Sequence, residues 1–286
     1  MAIDIRRHRL FVAELGNNSV DVIDLASGKV LHRFSGLKAP QGVAYVREPD
    51  VIVVTNADDG SVDIFGGNDF AALGTLNLGD DADNARVDYR DGHLLIGYGE
   101  GGLAAINLAT RSKLQDIKLP GHPESFQIDP KSNRAFVNIP DAGQIAVIDL
   151  GAGRQVAKWA VPGLAENFPM AIDDSNTTIA IVFRAPPRLV FLDSSTGAVT
   201  GNYSTCTDAD DVFFDAKRRR IYVSCGGGAL DVFERADTET RHIARIPTSS
   251  GARTSLFEPE LDELYVAERA GLLGSDAAIL VFHPTP

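Results

Sequence analysis

The chain has 286 residues, 44% of them hydrophobic and 27 of them glycine, so it holds enough apolar material for a large core and is rich in tight turns. Its net charge of −12 and pI near 4.9 repel a phosphate backbone, which argues against nucleic-acid binding. No apolar run is long enough to cross a bilayer, and two cysteines are too few for a disulfide scaffold.

The first predicted hairpin joins Arg9–Ala13 to Ser19–Asp24 through a turn at Gly16–Asn18. The same arrangement follows at Val51–Asn56 and Ser61–Phe65, with Asp58–Gly60 as the turn. A weaker copy spans Leu94–Asn107, and a clear one pairs Arg134–Asn138 with Gln144–Asp149. Ile179–Asp193 is weaker again. Arg220–Ser224 and Leu230–Phe233 flank Gly226–Gly228, and the last copy spans Leu264–Phe282. Second turns at Ala26–Gly28, Ala152–Gly153 and Ser195–Gly197 lead into a fourth short strand. Each unit therefore reads as four strands.

The end of each first strand gives an anchor: Asp4, Tyr45, Asp88, Asp129, Asp173, Asp215 and Glu258, spaced 41 to 44 residues apart. Four strands at that period make a propeller blade, and six near-equal intervals set aside a β-sandwich. The expected fold is one all-β domain over 1–286, a seven-bladed β-propeller. Its blades run over about 1–41, 42–84, 85–125, 126–169, 170–211, 212–254 and 255–286. Met1–Asp4 aligns with Pro169–Asp173 as a first strand, which leaves the last blade without its outer strand in this chain. An N-terminal extension carrying that strand is expected to close the ring, because an open edge exposes backbone donors and acceptors.

Val53–Asn56 followed by Ser61–Ile64 resembles the motif of the bacterial YVTN-repeat propellers, and Arg9–Asp24, Arg134–Asp149 and Arg220–Phe233 are similar to it. The likeness extends over essentially the whole chain. It implies the seven-bladed fold and a binding or scaffolding role more often than an enzymatic one. It also implies a periplasmic or secreted protein, although no signal peptide is read at Met1.

Loops on a rigid scaffold carry function, so the loops before each first strand are the place to look for a site. Four and five residues before the anchors lie Pro40-Gln41, Asp83-Asn84, Glu124-Ser125, Phe168-Pro169, Asp210-Asp211 and Arg253-Thr254. Loops between second and third strands add Glu14, Asn56, Glu100, Asn138, Arg184 and Glu268 to the same side. Asp80, Asp81, Asp83, Glu124, Glu166, Asp208, Asp210 and Asp211 make this side acidic. Arg6, Arg7, Lys131 and Lys217–Arg220 make the opposite turns basic. An acidic loop face at the channel mouth attracts a cation, a small molecule or a basic protein partner. Gln41, Asn56, Asn138, Arg184 and Arg253 are the candidate ligand contacts. Arg253 either pairs with Asp210 or Glu124 or binds a ligand carboxylate. The chain is expected to be a monomer.

Asn84, Glu124, Asn167 and Asp210 come from four consecutive blades and offer oxygen ligands suited to Ca²⁺ or Mg²⁺. The set is similar to the metal site of gluconolactonase-type propellers, which have six blades. An ion there would polarise a lactone carbonyl, with Asp211 or Glu124 as base. His122 is the only histidine on this side, so a lyase-type reaction would need it as base; otherwise it hydrogen-bonds within its loop. Cys206 and Cys225 both fall on this side of blade six. They form one bridge or stand as two buried thiols, with thiols as the default. The chain has no Gly-rich phosphate loop, no paired-cysteine zinc motif and no nucleophile elbow, and its one tryptophan is Trp159. The expected function is a binding or scaffold propeller, with a divalent-metal lactonase as the alternative.

Overall fold

The computed structural model describes residues 1–236, 239–271 and 276–285. These residues form seven antiparallel sheets with strands in chain order, six of four strands and a last one of three. The architecture is the all-β, seven-bladed propeller expected from the repeat. The helical elements among the described residues are single 3₁₀ turns at Ile5–Arg7, Leu15–Asn17 and Pro140–Ala142. Among the described residues, no helix is long and apolar enough to cross a membrane.

Contacts divide the chain into two compact units, residues 1–142 with 146–158 and residues 143–145 with 159–286. In the first unit, the second strands are buried over most of their length, and Val51–Asn56 over all of it. Both faces of such a strand are covered by neighbouring sheets, so it reads as a continuous run of β-branched residues. Val53, Ile64, Ala85, Leu94 and Ile96 form one such inter-sheet layer. In the second unit Tyr222, Leu230, Phe257, Leu264 and Val266 form another. The fourth strands, such as Ala72–Asn77 and Val199–Ser204, are largely exposed and carry the polar residues.

The register corrects one anchor. Asp4, Asp88, Asp129, Asp215 and Glu258 each pair with the first residue of the next strand. In sheet two that place belongs to Val46, paired with Val51, and Tyr45 lies one residue earlier. Tyr45 instead donates its hydroxyl to Asp50 at 2.7 Å.

A repeated ion pair, overlooked in the sequence, ties third strands to fourth strands. Asp21 accepts from Nε and Nη2 of Arg33, both at 2.6 Å, and fully buried Asp231 accepts from Arg245 at 2.7 and 2.8 Å. At the equivalent place Asp63 accepts from Thr75 and Asn56. The signal was present as an aspartate at the third position of each of these strands.

Cys206 and Cys225 are joined in a disulfide with their Cα atoms 5.9 Å apart, which corrects the default of two thiols. The physical reason lies in the pairing. Ala209 lies opposite Cys225, and Gly227 and Gly226 donate to the carbonyls of Thr207 and Asp208. The chain is thereby folded back until the two sulfurs meet.

Candidate functional site

Four of the six loop positions picked out by the repeat coincide with irregularities in the first strands. In sheet two the pairing shifts between Pro40 and Gly42, and in sheet three between Ala82 and Ala85. In sheet five it shifts between Asn167 and Met170, and in sheet six between Ala209 and Asp211. The residues left out of the ladder are Gln41, Asp83 and Asn84, Phe168 and Pro169, and Asp210. A bulge bends the strand and re-aims its side chains, which is how these residues leave the sheet plane.

In the first unit the bulge of sheet three lies beside His122. Its Nδ1 lies 2.7 Å from the Gly99 carbonyl and 3.5 Å from Asp81, and its Nε2 lies 3.9 Å from Asp83. The imidazole is held up at about 9, first by the Asp83 carboxylate, against the opposing effect of burial, and further by the Gly99 carbonyl and Asp81. At 3.9 Å, Asp83 acts mainly as a charge. Burial pushes Asp81 upward, with Asp83 and Asp80 adding to the rise while His122 opposes it. The backbone below is tightly locked. Thr55 donates its hydroxyl to the Asp83 carbonyl at 2.5 Å and accepts from Gly42 N–H at 3.0 Å. A Cβ on Gly42 would run into both Thr55 Oγ1 and that carbonyl, so the position admits only glycine.

In the second unit the bulges build a ring of charges. Arg184 donates through Nε to the Ala209 carbonyl at 2.7 Å and through Nη2 to Asp210 at 2.6 Å. Its guanidinium lies 3.8 Å from the centre of the Phe168 ring, a cation–π stack. Arg253 donates to Asp208 at 2.8 Å and lies 3.5 Å from Asp210, while Asp208 also stands 3.4 Å from Arg184. Two arginines and two aspartates thus neutralise one another on the loop side of sheets five and six.

The chain matches no protein-family model and no curated protein. Among solved structures it is similar to Kuenenia stuttgartiensis hydrazine synthase, with a TM-score of 0.86 over 98% of this chain and 94% of that one at 14% identity. It is also similar to a functionally unknown protein from Desulfotomaculum acetoxidans, with a TM-score of 0.78 over 96% and 99% of the two chains at 10% identity. At these identities the likeness shows the fold alone.

The remaining candidates fall into two groups. Gln41 is exposed on its bulge, while Arg184 and Arg253 sit in the charged ring. Asn56 is fully buried; its amide donates to Ser61 and Asp63, and its carbonyl accepts from Lys38 N–H at 3.0 Å. Asn138 is also fully buried, and its backbone carbonyl accepts from Glu124 N–H at 3.0 Å. The Asn56 side chain thus holds its loop in place. Of the proposed metal ligands, Asn84 donates to Asp83 at 3.2 Å and Asn167, 1% exposed, donates to the Gln144 carbonyl at 3.0 Å. Asp210 is taken up by two guanidinium groups, and Asp211 accepts from Ser255 N–H at 2.6 Å. Among the described residues, no three His, Cys, Asp or Glu side chains gather as ligands of one ion. Pairing of Arg253 with Asp210 was foreseen. The larger share taken by Asp208 and the Phe168 stack were not, because they depend on how the bulges turn.

The turn side is less basic than its arginines suggest. In the first unit Arg7 pairs with Asp50 at 2.8 Å and with Asp4 at 3.0 Å. In the second, Lys217 and Arg218 both close on Asp262, and Arg218 also reaches Asp215. The Asp262 carboxyl is held well below the usual carboxylate range by Arg218 and then Lys217.

Proposed function

We propose that the protein is a non-catalytic binding propeller of the YVTN-repeat kind, whose loop side recognises a polar or basic partner. The observation that carries this reading is the ring of Arg184, Asp208, Asp210 and Arg253, organised by bulges into a charge pattern fixed before any partner arrives. Preorganised charges give specificity and faster association without a chemical step. The acidic loops of the first unit, with Asp81 and Asp83 beside one histidine, supply attraction for a cationic group. A histidine that stays protonated until about 9 holds no lone pair for a proton at neutral pH, which weighs against it as a general base. The buried disulfide favours a working place in an oxidising compartment.

Calorimetry with Ca²⁺ and Mg²⁺ on wild type, Asp210→Ala and Glu124→Ala tests this reading against the lactonase one. The binding reading expects no stoichiometric cation uptake that depends on both residues. Stoichiometric uptake lost in both variants, followed by lactone hydrolysis in wild type alone, would overturn it.

A further inference from the structure

On the turn side of the first unit, the interface between sheets one and two is filled. Arg9 is 5% exposed, and its guanidinium donates to Asp4 at 2.6 Å and to the Gly67 carbonyl at 2.7 Å. It lies 5.3 Å from the Phe70 ring centre and 5.7 Å from that of Phe11. His32 stacks on Phe70 at 4.6 Å. A planar cation and flat rings thus occupy this interface.

Register identifies the same places between sheets three and four. Asp4 pairs with Arg9, as Asp88 pairs with His93, so His93 stands for Arg9. Phe11 pairs with Val22 and Val22 with His32; correspondingly Leu95 pairs with Ala105 and Ala105 with Gln115. The left-handed turn residue Phe70, at φ 60°, corresponds to Gly153, at φ 63°. Each donates its N–H to the carbonyl four residues earlier. Arg, Phe, Val, His and Phe have therefore become His, Leu, Ala, Gln and Gly. Each replacement is smaller; the Gln115 side chain fills the space over Gly153, and beside it lies a cleft of about 430 Å³ whose apolar lining is Leu95, Ala105, Leu114 and Leu150.

The rim has a defined charge. Arg90 spends its guanidinium on Asp88 and Asn133, so Asp88 is neutralised. Asp91, half exposed, lies 2.9 Å from His93 Nδ1 and is the remaining acidic group at the cleft. The lining joins these apolar side chains to Asp88, Arg90, Asp91, His93, Gln115 and Asn133, and a concave apolar surface with converging polar groups is the ordinary form of a small-molecule site. We propose that this cleft binds a small planar aromatic cation, of the aryl-amidine or aryl-amine class, with its ring on Leu95, Ala105 and Leu150 and its charged head at Asp91. Such a ligand supplies what Arg9 and Phe11 supply between sheets one and two. The site is separate from the loop-side charges and does not depend on their function.

The test uses benzamidine as probe on the full chain, with benzoate as the anion of like shape, read by saturation-transfer NMR and calorimetry. Benzamidine is expected to bind with Kd of about 1 mM or tighter, a fair affinity for so few heavy atoms. Benzoate is expected to bind at least about tenfold more weakly because of Asp91. Leu95→Phe restores the sheet-one residue and is expected to block the cleft, abolishing binding. Ala105→Val repeats Val22, is a smaller change, and should weaken binding if Leu95→Phe does not fold. Absence of benzamidine binding at about 10 mM would overturn the proposal. So would equal binding of benzoate, or undiminished binding in a folded Leu95→Phe protein.

Discussion

Removing the disulfide gives the sharpest test of how sheet six is held. Cys206 and Cys225 are 19 residues apart, and closing a loop of that length in the unfolded chain stabilises the fold by about 3 kcal/mol. An unfolding entropy of about 2.1 cal/mol/K per residue converts this to a drop in Tm of about 5 °C for a chain of 286 residues. Both cysteines are buried, at 5% and 0% exposure, so Cys206→Ala and Cys225→Ala lose some packing as well. A bridge needs both partners. Each single variant should therefore lose nearly as much as the double variant in scanning calorimetry under non-reducing conditions. Two thiols packed independently would give losses that add. Additive losses, or two free thiols titrated in the denatured wild type, would refute the reasoning.

Three further outcomes follow from the ion pairs. His122 is held above its ordinary value, so the stability it contributes is complete below about 6.5 and disappears as pH rises through about 9. Urea titrations across that range should show wild type losing stability that His122→Gln does not lose. Asp231→Ala strands Arg245 beside a fully buried site and should cost about 2–4 kcal/mol, near the low end because Arg245 itself is half exposed. Asp63→Ala, whose partners Thr75 and Asn56 are neutral, should cost only about 1 kcal/mol in the same urea series.

The fold was legible because a propeller repeats itself. Strand runs such as Arg9–Ala13 and Arg220–Ser224 are local signals, and a constant interval turned them into blades without any long-range information. The one slip, Tyr45 for Val46, arose where an aspartate was missing from the anchor and the aromatic neighbour drew the alignment by one residue. A shift of one residue reverses the faces of a strand, and here it separates a hydroxyl bonded to Asp50 from a buried valine. The disulfide was open for a different reason. Sequence placed both cysteines on one side of sheet six, but only the pairing of Ala209 with Cys225 shows that the chain doubles back far enough.

The candidate site was legible in position and not in partnership. Repeat alignment found Gln41 and Asn84 four residues, and Asp83, Phe168 and Asp210 five residues, before their anchors, and these are residues that bulges eject from the ladders. Equivalence says where a side chain starts; where it ends depends on its neighbour's length. Arg184 reaches past its own strand to the Ala209 carbonyl and Asp210, so an acidic position in the alignment becomes half of an ion pair in the fold. The same logic separates Arg9 from His93. Both open the second strand opposite an aspartate, yet one side chain spans to the next sheet and the other stops short. In this architecture the repeated backbone fixes a set of like places, and side-chain length at each decides whether the place is sealed, paired or left able to receive a ligand.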